Sequence, residues 1–251
     1  MELSPVLVFA IALVRPSLLV IGTPLFGGTF TPPMVRVGLI VVLGAFMAPV
    51  IGLPRTVEAG TFIALMLREA LIGFALALSV RLLVAGAELG GYLTGFQMGL
   101  SYAALVDPQS GVRNNVLAAL YGSLAVIILF LTNGHHDLLR ALAASYDAVP
   151  IGGGAVAAGL AELVARMFGL MFTLGVRLAA PVVITLLLVE VSLGVVARVA
   201  PTLNLMVTAA PVRLLVGWTA LALTVRVLPE ILTRAFPQAL QLGTRTAGAL
   251  H

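Results

Sequence analysis

The chain has 251 residues, 61% of them apolar and only 10% charged, with a formal net charge of +4 and no cysteine. Soluble domains run at about 45–50% apolar and about 25% charged residues, so soluble globular, disordered, fibrous and disulfide-rich classes are excluded and a polytopic membrane protein remains. All 14 basic residues are arginine, which removes amine-based Schiff-base chemistry and the phosphate-loop lysine, and their scatter as single residues excludes nucleic acid as a partner.

Met1-Glu2-Leu3-Ser4-Pro5 lacks the basic n-region of a cleaved signal peptide, so the first segment is expected to persist in the mature chain. Leu3–Ile21 is apolar but carries Arg15-Pro16 in its middle. Pro24–Pro33 reads as a loop, with Pro32-Pro33 opening the next helix. Val37–Leu53 is an uncharged run punctuated by Pro49 and followed by Pro54. Phe62–Leu100 is helical in composition, although Arg68, Glu69, Arg81 and Glu88 lie along it. Asn114-Asn115 can cap a helix from Val116 to about Thr132, which Asn133-Gly134 ends. A short helix over Asp137–Ala144 precedes a turn at Pro150–Gly154. Ala155–Leu174 and Arg177–Val199 read as two helices, with Pro181 near the start of the second. Pro201 and Pro211 bracket a non-helical link, Leu214–Leu228 is the last apolar helix, and an amphipathic tail follows from Pro229.

These elements predict an all-α fold: one integral membrane domain over residues 1–251, a bundle of six to eight apolar helical segments, several of them broken. No alternating segments of about ten residues suggest a transmembrane barrel. Arginines show no bias between alternate loops, so orientation is not set by charge. Helices with mid-segment charges and prolines are poor simple lipid spans, and are tolerated where protein or a water-filled cavity satisfies them.

No catalytic set emerges, and neither enzyme activity nor a cofactor is expected. His135-His136-Asp137 carries metal-capable side chains, but consecutive residues do not share a helix face, so a polar cap is the alternative reading. Gly99-Leu100-Ser101-Tyr102-Ala103 lacks the second glycine of a nucleophile elbow. The stripe Gly86, Gly90, Gly91, Gly95 and Gly99 lets a neighbouring helix approach to backbone contact, within this chain or on another subunit. The charges Arg68, Glu69, Arg81, Glu88, Arg177, Glu190 and Arg198 each need a partner or water. Glu190 follows the uncharged run Leu178–Val189 and has Arg198, two turns on, or an arginine from elsewhere as its partner.

Two blocks carry a resemblance. Gly91-Tyr-Leu-Thr-Gly-Phe-Gln-Met-Gly-Leu-Ser-Tyr-Ala-Ala-Leu-Val-Asp-Pro-Gln-Ser-Gly111, continuing through Leu129-Phe-Leu-Thr-Asn-Gly-His135 to Val149-Pro-Ile-Gly152, resembles the signature of the FliR family of flagellar biosynthesis proteins. Leu186-Leu-Leu-Val-Glu-Val-Ser-Leu-Gly-Val-Val-Ala-Arg-Val-Ala-Pro-Thr-Leu-Asn204 is similar to that family's C-terminal half. The specific motif residues are Gln97, Met98, Gly99, Asp107 and Pro108. Ala209-Ala-Pro-Val-Arg213 departs from the expected Gly-Phe-Pro, hydrophobic residue and lysine, while keeping Pro211 and a basic residue.

The resemblance implies a core subunit of the flagellar type III export gate in the bacterial inner membrane and basal body. It implies assembly with FliP and FliQ into a helical pore, FlhB and FlhA nearby, and unfolded flagellar subunits as cargo. It places a pore plug at Gln109, Ser110, Gly111, Val112, Arg113, Asn114 and Asn115. The glycine stripe is then expected to pack on neighbouring subunits, and Glu88, Glu190 and Arg198 to hold helix contacts as buried charges. The homologous subunit of a virulence injectisome is the nearest rival, and a secondary transporter is the rival of another class.

Overall fold

In hydrocarbon, backbone N–H and C=O groups have no water to bond, so an apolar chain of this kind must close its hydrogen bonds within each segment. A computed structural model describes residues 5–28, 31–48, 59–100, 116–151, 160–199 and 205–249, and among these it contains helices and no strand. The helices are α1 (Pro5–Gly22), α2 (Pro24–Gly27), α3 (Pro33–Met47), α4 (Ala59–Gln97), α5 (Val116–Leu131), α6 (Gly134–Ala148), α7 (Leu160–Val199) and α8 (Leu205–Gly248). The all-α expectation holds.

Several boundaries follow from local chemistry. Proline at the first helical position opens α3, as its fixed φ favours. The chain between α5 and α6 turns at Asn133, which takes the left-handed φ of 58° that asparagine tolerates better than most residues. Its carbonyl accepts from the N–H groups of His136 and Asp137. Asp137 then lies in the first turn of α6, where a carboxylate complements the helix dipole.

Three expectations are corrected. The loop over 24–33 contains the single turn α2. The two helices expected over 155–199 are one, α7, continuous through Pro181. The link bracketed by Pro201 and Pro211 is helical from Leu205, and α8 runs on through Pro211, Pro229 and Pro237 for 44 residues. A proline removes one intrahelical hydrogen bond and clashes with one carbonyl. Leaving the helix in an apolar setting would strand several backbone groups instead. Continuity is the smaller loss.

Contacts divide the chain into two compact units, one of Met1–Leu83, Leu129–Gly169 and Phe236–His251, the other of Val84–Ile128 and Leu170–Ala235. In the first, Ile11, Leu19, Ile72, Leu76, Leu138 and Leu142 are fully enclosed. Here α1 crosses α4 at backbone distance: a Cβ on Gly73 would stand 2.8 Å from the Arg15 carbonyl oxygen, and one on Gly22 would stand 2.7 Å from Ala77 Cβ. The last turns of α8 join this unit, with Gly243 against Ser79 and the Thr246 hydroxyl 3.5 Å from Met167 Sδ.

The second unit is centred on Ala87, Leu117, Tyr121, Leu178, Val182 and Leu186. Among the described residues, three helices, over 62–97, 161–199 and 209–248, are long and apolar enough to cross a membrane, or four spans if α5 and α6 count as one. The most hydrophobic window of the first is 67% buried, whereas those of α7 and α8 are only 17% and 28% buried. On α7, Phe172, Val176, Ile184, Leu187, Leu188, Val191, Val195 and Val199 are all exposed, an apolar face about 40 Å long at 1.5 Å per residue. A hydrocarbon core is about 30 Å thick, so the face is longer than an untilted span needs.

Candidate functional site

The end of α4 holds the motif residues Gln97, Met98 and Gly99. Gly99 has φ 81°, its N–H donates to the Phe96 carbonyl, and the Leu100 N–H donates to the Gly95 carbonyl. This pair of bonds is a Schellman cap with Gly99 at the left-handed position. Glycine is needed here because a Cβ in that conformation costs about 1–2 kcal/mol. Gly99→Ala should therefore lower stability by about 1–2 kcal/mol while Gly99→Asn loses less, measured by thermal unfolding in detergent.

The helix end fixed by this cap places Gln97 against α7. Gln97 Nε2 donates to Glu190 Oε1 at 3.3 Å, and an Arg213 Nη2 from α8 lies 3.4 Å from the same oxygen. The partner of Glu190 is thus Arg213, the basic residue kept in the otherwise divergent Ala-Ala-Pro-Val-Arg stretch, and not Arg198. Side-chain exposures of 34% for Glu190 and 32% for Arg213 make the pair half-buried. Beside it opens a cleft of about 610 Å³, lined by Met98, Gly99, Leu100, Leu193, Gly194, Ala209, Ala210 and Leu214 together with the two charges.

The first unit contains a second polar centre, which the sequence reading did not assemble. Arg15 of α1 is fully buried and Glu69 of α4 is 1% exposed. Arg15 Nε and Nη2 grip the two Glu69 carboxylate oxygens in a fork. Nη1 donates to the Ser145 carbonyl at 2.8 Å and hydroxyl at 3.2 Å, and Nη2 also donates to the Val149 carbonyl at 2.6 Å. All five guanidinium donors are occupied. Two of the acceptors are carbonyls at the C-terminal end of α6, where a cation opposes the dipole. The Tyr146 ring covers the guanidinium, 4.3 Å from its carbon. Arg15 and Glu69 are 54 residues apart, and the only sequence signal was that each interrupts an apolar run.

The remaining expected residues divide clearly. Gly86 and Gly90 meet α7, with would-be Cβ atoms 2.8 Å from the Met171 carbonyl oxygen and Leu178 Cβ. Gly91 meets the α5 backbone, 2.7 Å from the Leu117 carbonyl carbon. These three positions thus face helices of this same chain, and Gly95 is buried. Glu88 and Arg198 are exposed in the chain rather than buried; a Cβ on Gly122 would stand 2.8 Å from Glu88 Cγ. Asp107, Pro108 and the expected plug, Gln109, Ser110, Gly111, Val112, Arg113, Asn114 and Asn115, lie outside the described residues. His135 and His136 stack with ring centroids 4.2 Å apart, and Asp137 pairs with Arg140 at 2.8 Å.

Comparison with known proteins gives this architecture a context. A family model described as bacterial export proteins, family 1, matches residues 6–239. The chain is 29% identical over 232 residues to the flagellar biosynthetic protein FliR of Bacillus subtilis, covering 91% of this chain and 90% of that protein. It is 31% identical over 230 residues to the FliR of Pectobacterium carotovorum subsp. carotovorum, covering 91% and 88%. It is 25% identical over 198 residues to the Yop proteins translocation protein T of Yersinia pestis, covering 77% and 74%. With the match running through both the α4 cap and the Glu190–Arg213 pair, the chain belongs to family 1 of the bacterial export proteins, the family of the flagellar FliR proteins.

Proposed function

We propose that this chain is a non-catalytic subunit of a type III protein-export gate in the bacterial inner membrane, built into the flagellar basal body with FliP-like and FliQ-like subunits and with FlhB-like and FlhA-like proteins nearby. The observation that carries this reading is the family match over residues 6–239 on a chain whose longest apolar helices, α7 and α8, are left largely uncovered. Such faces suit neighbouring protein helices, which pack through small residues and shape in an apolar medium. The cargo is unfolded flagellar subunits, and residues 109–115 plug the closed channel.

The test is purification of the tagged chain in mild detergent with its own operon partners co-produced. A stable complex with FliP-like and FliQ-like subunits is expected, and a chain that purifies alone overturns the reading. In that complex, deletion of Ser110–Asn114 should raise ion leakage through membranes carrying it, whereas unchanged leakage removes the plug. The match to the Yersinia protein favours a second reading, a virulence secretion apparatus. Restoration of swimming in a strain lacking its FliR, without restoration of virulence-type secretion in a strain lacking its translocation protein, separates the two.

A further inference from the structure

Within the second unit, α4 is attached to its neighbours in two different ways. Upstream it is set against backbone: a Cβ on Gly86 would stand 2.8 Å from the Met171 carbonyl oxygen, and one on Gly91 would stand 2.7 Å from the Leu117 carbonyl carbon. Backbone atoms this close have no rotamer to change, so the helices keep one arrangement. At the last turn the contacts are made by side chains. Met98, 2% exposed, lies over Gly217 of α8, where a Cβ would stand 2.8 Å from its Cγ and 2.9 Å from its Cε. Gln97 reaches Glu190 of α7 at 3.3 Å, longer than the usual N–H···O range of about 2.7–3.2 Å.

Both side-chain contacts can part at little cost. Glu190 is 34% exposed, so water takes the place of Gln97 when it leaves, and polar pairs at exposed groups contribute little. Methionine is unbranched and turns about three bonds, and the cleft of about 610 Å³ that Met98, Gly99 and Leu100 line gives it room. Gly99 follows directly with φ 81°, and a residue without a Cβ absorbs a change of backbone angle more readily than any other. The enclosed Arg15–Glu69 fork of the first unit has none of this freedom.

We propose that the last turn of α4 is a releasable latch, in which Met98 over Gly217 and Gln97 on Glu190 hold the turn to α8 and α7 and let go while a chain is exported. Gly86, Gly90 and Gly91 stay locked and form the fixed part from which the turn swings. Three consecutive motif residues then have separate tasks: Gln97 and Met98 dock the turn, and Gly99 lets it pivot. The inference rests on the export reading above and adds the element of this chain that moves.

The chain has no cysteine, so introduced thiols report without background. Met98→Cys combined with Gly217→Cys brings two thiols within disulfide reach, since a Cβ at position 217 stands 2.8 Å from Met98 Cγ and trimming the methionine clears that space. In cells whose assembled complex carries the pair, oxidation should stop secretion of an exported flagellar protein, and a reductant should restore it. Secretion that continues with the bond formed, or a block that the reductant does not lift, overturns the latch. A second measurement needs no cross-link. With Met98→Cys alone, the buried thiol should react slowly with a maleimide in the purified complex. Adding Gln97→Ala should raise that rate about fivefold, as the loss of one hydrogen bond does, with the same subunits still co-purifying. An unchanged rate in an assembled complex overturns the inference and leaves the export reading standing. Failure of the unsubstituted complex to assemble overturns the export reading and the inference with it.

Discussion

Arg15→Leu is expected to lower the unfolding free energy by about 3–5 kcal/mol, the range for breaking a buried ion pair from one side. The cause is what the substitution leaves behind. Glu69, 1% exposed, would lose the fork that holds both of its oxygens, and the carbonyls of Ser145 and Val149 would each lose a charged donor. Arg15→Met combined with Glu69→Leu should recover most of that loss, because replacing both partners by apolar groups of similar volume removes the desolvated charges together. Denaturant titration of the purified protein in one detergent measures both variants. A single substitution no worse than the double would show that the fork contributes no coupling energy.

The second large effect belongs to Gly91. A methyl group there would stand 2.7 Å from the Leu117 carbonyl carbon and 2.8 Å from Ala118 Cα. Both atoms are backbone, so the crowding cannot be relieved by a rotamer change, and α4 and α5 must separate. Gly91→Ala should therefore cost about 3 kcal/mol, at the upper end of ordinary overpacking. Gly38 on α3 is the matched control, since nothing lies within 4 Å of its would-be Cβ. Gly38→Ala should be neutral or raise stability by up to about 1 kcal/mol through helix propensity alone. Thermal unfolding of the two variants in detergent separates steric from propensity effects, and equal melting temperatures would refute the close approach.

Both residues illustrate what the sequence could and could not disclose. The glycine stripe was legible because spacing of three and four residues puts small side chains along one helix face. Which helix occupies that face was not, because α7 reaches Gly86 and Gly90 with Met171 and Leu178, and α5 reaches Gly91 with Leu117, all far along the chain. The charges were legible as a problem, since each interrupts an apolar run. Their pairing was not, because a partner 54 residues away leaves no periodic trace. Prolines misled in the opposite direction: Pro181 was placed near a helix start and Pro211 at the end of a non-helical link, yet both lie inside continuous helices, because backbone satisfaction in an apolar medium outweighs the single bond each one removes. The Gln-Met-Gly-Leu stretch was recognised as a motif by resemblance, and the left-handed cap at Gly99 supplies the physical reason for its glycine.

The uncovered face of α7 has a consequence for the economy of the cell that makes this protein. Exposed apolar surface of that length is adhesive in any compartment, and a partly assembled species that carries it aggregates or is degraded. Copies synthesised in excess of their neighbours are therefore a hazard and not a reserve. Synthesis must be matched in number and in time to whatever covers that helix, and the half-life of an unaccompanied copy should be short. Pulse-chase turnover with and without its neighbours would report that dependence directly.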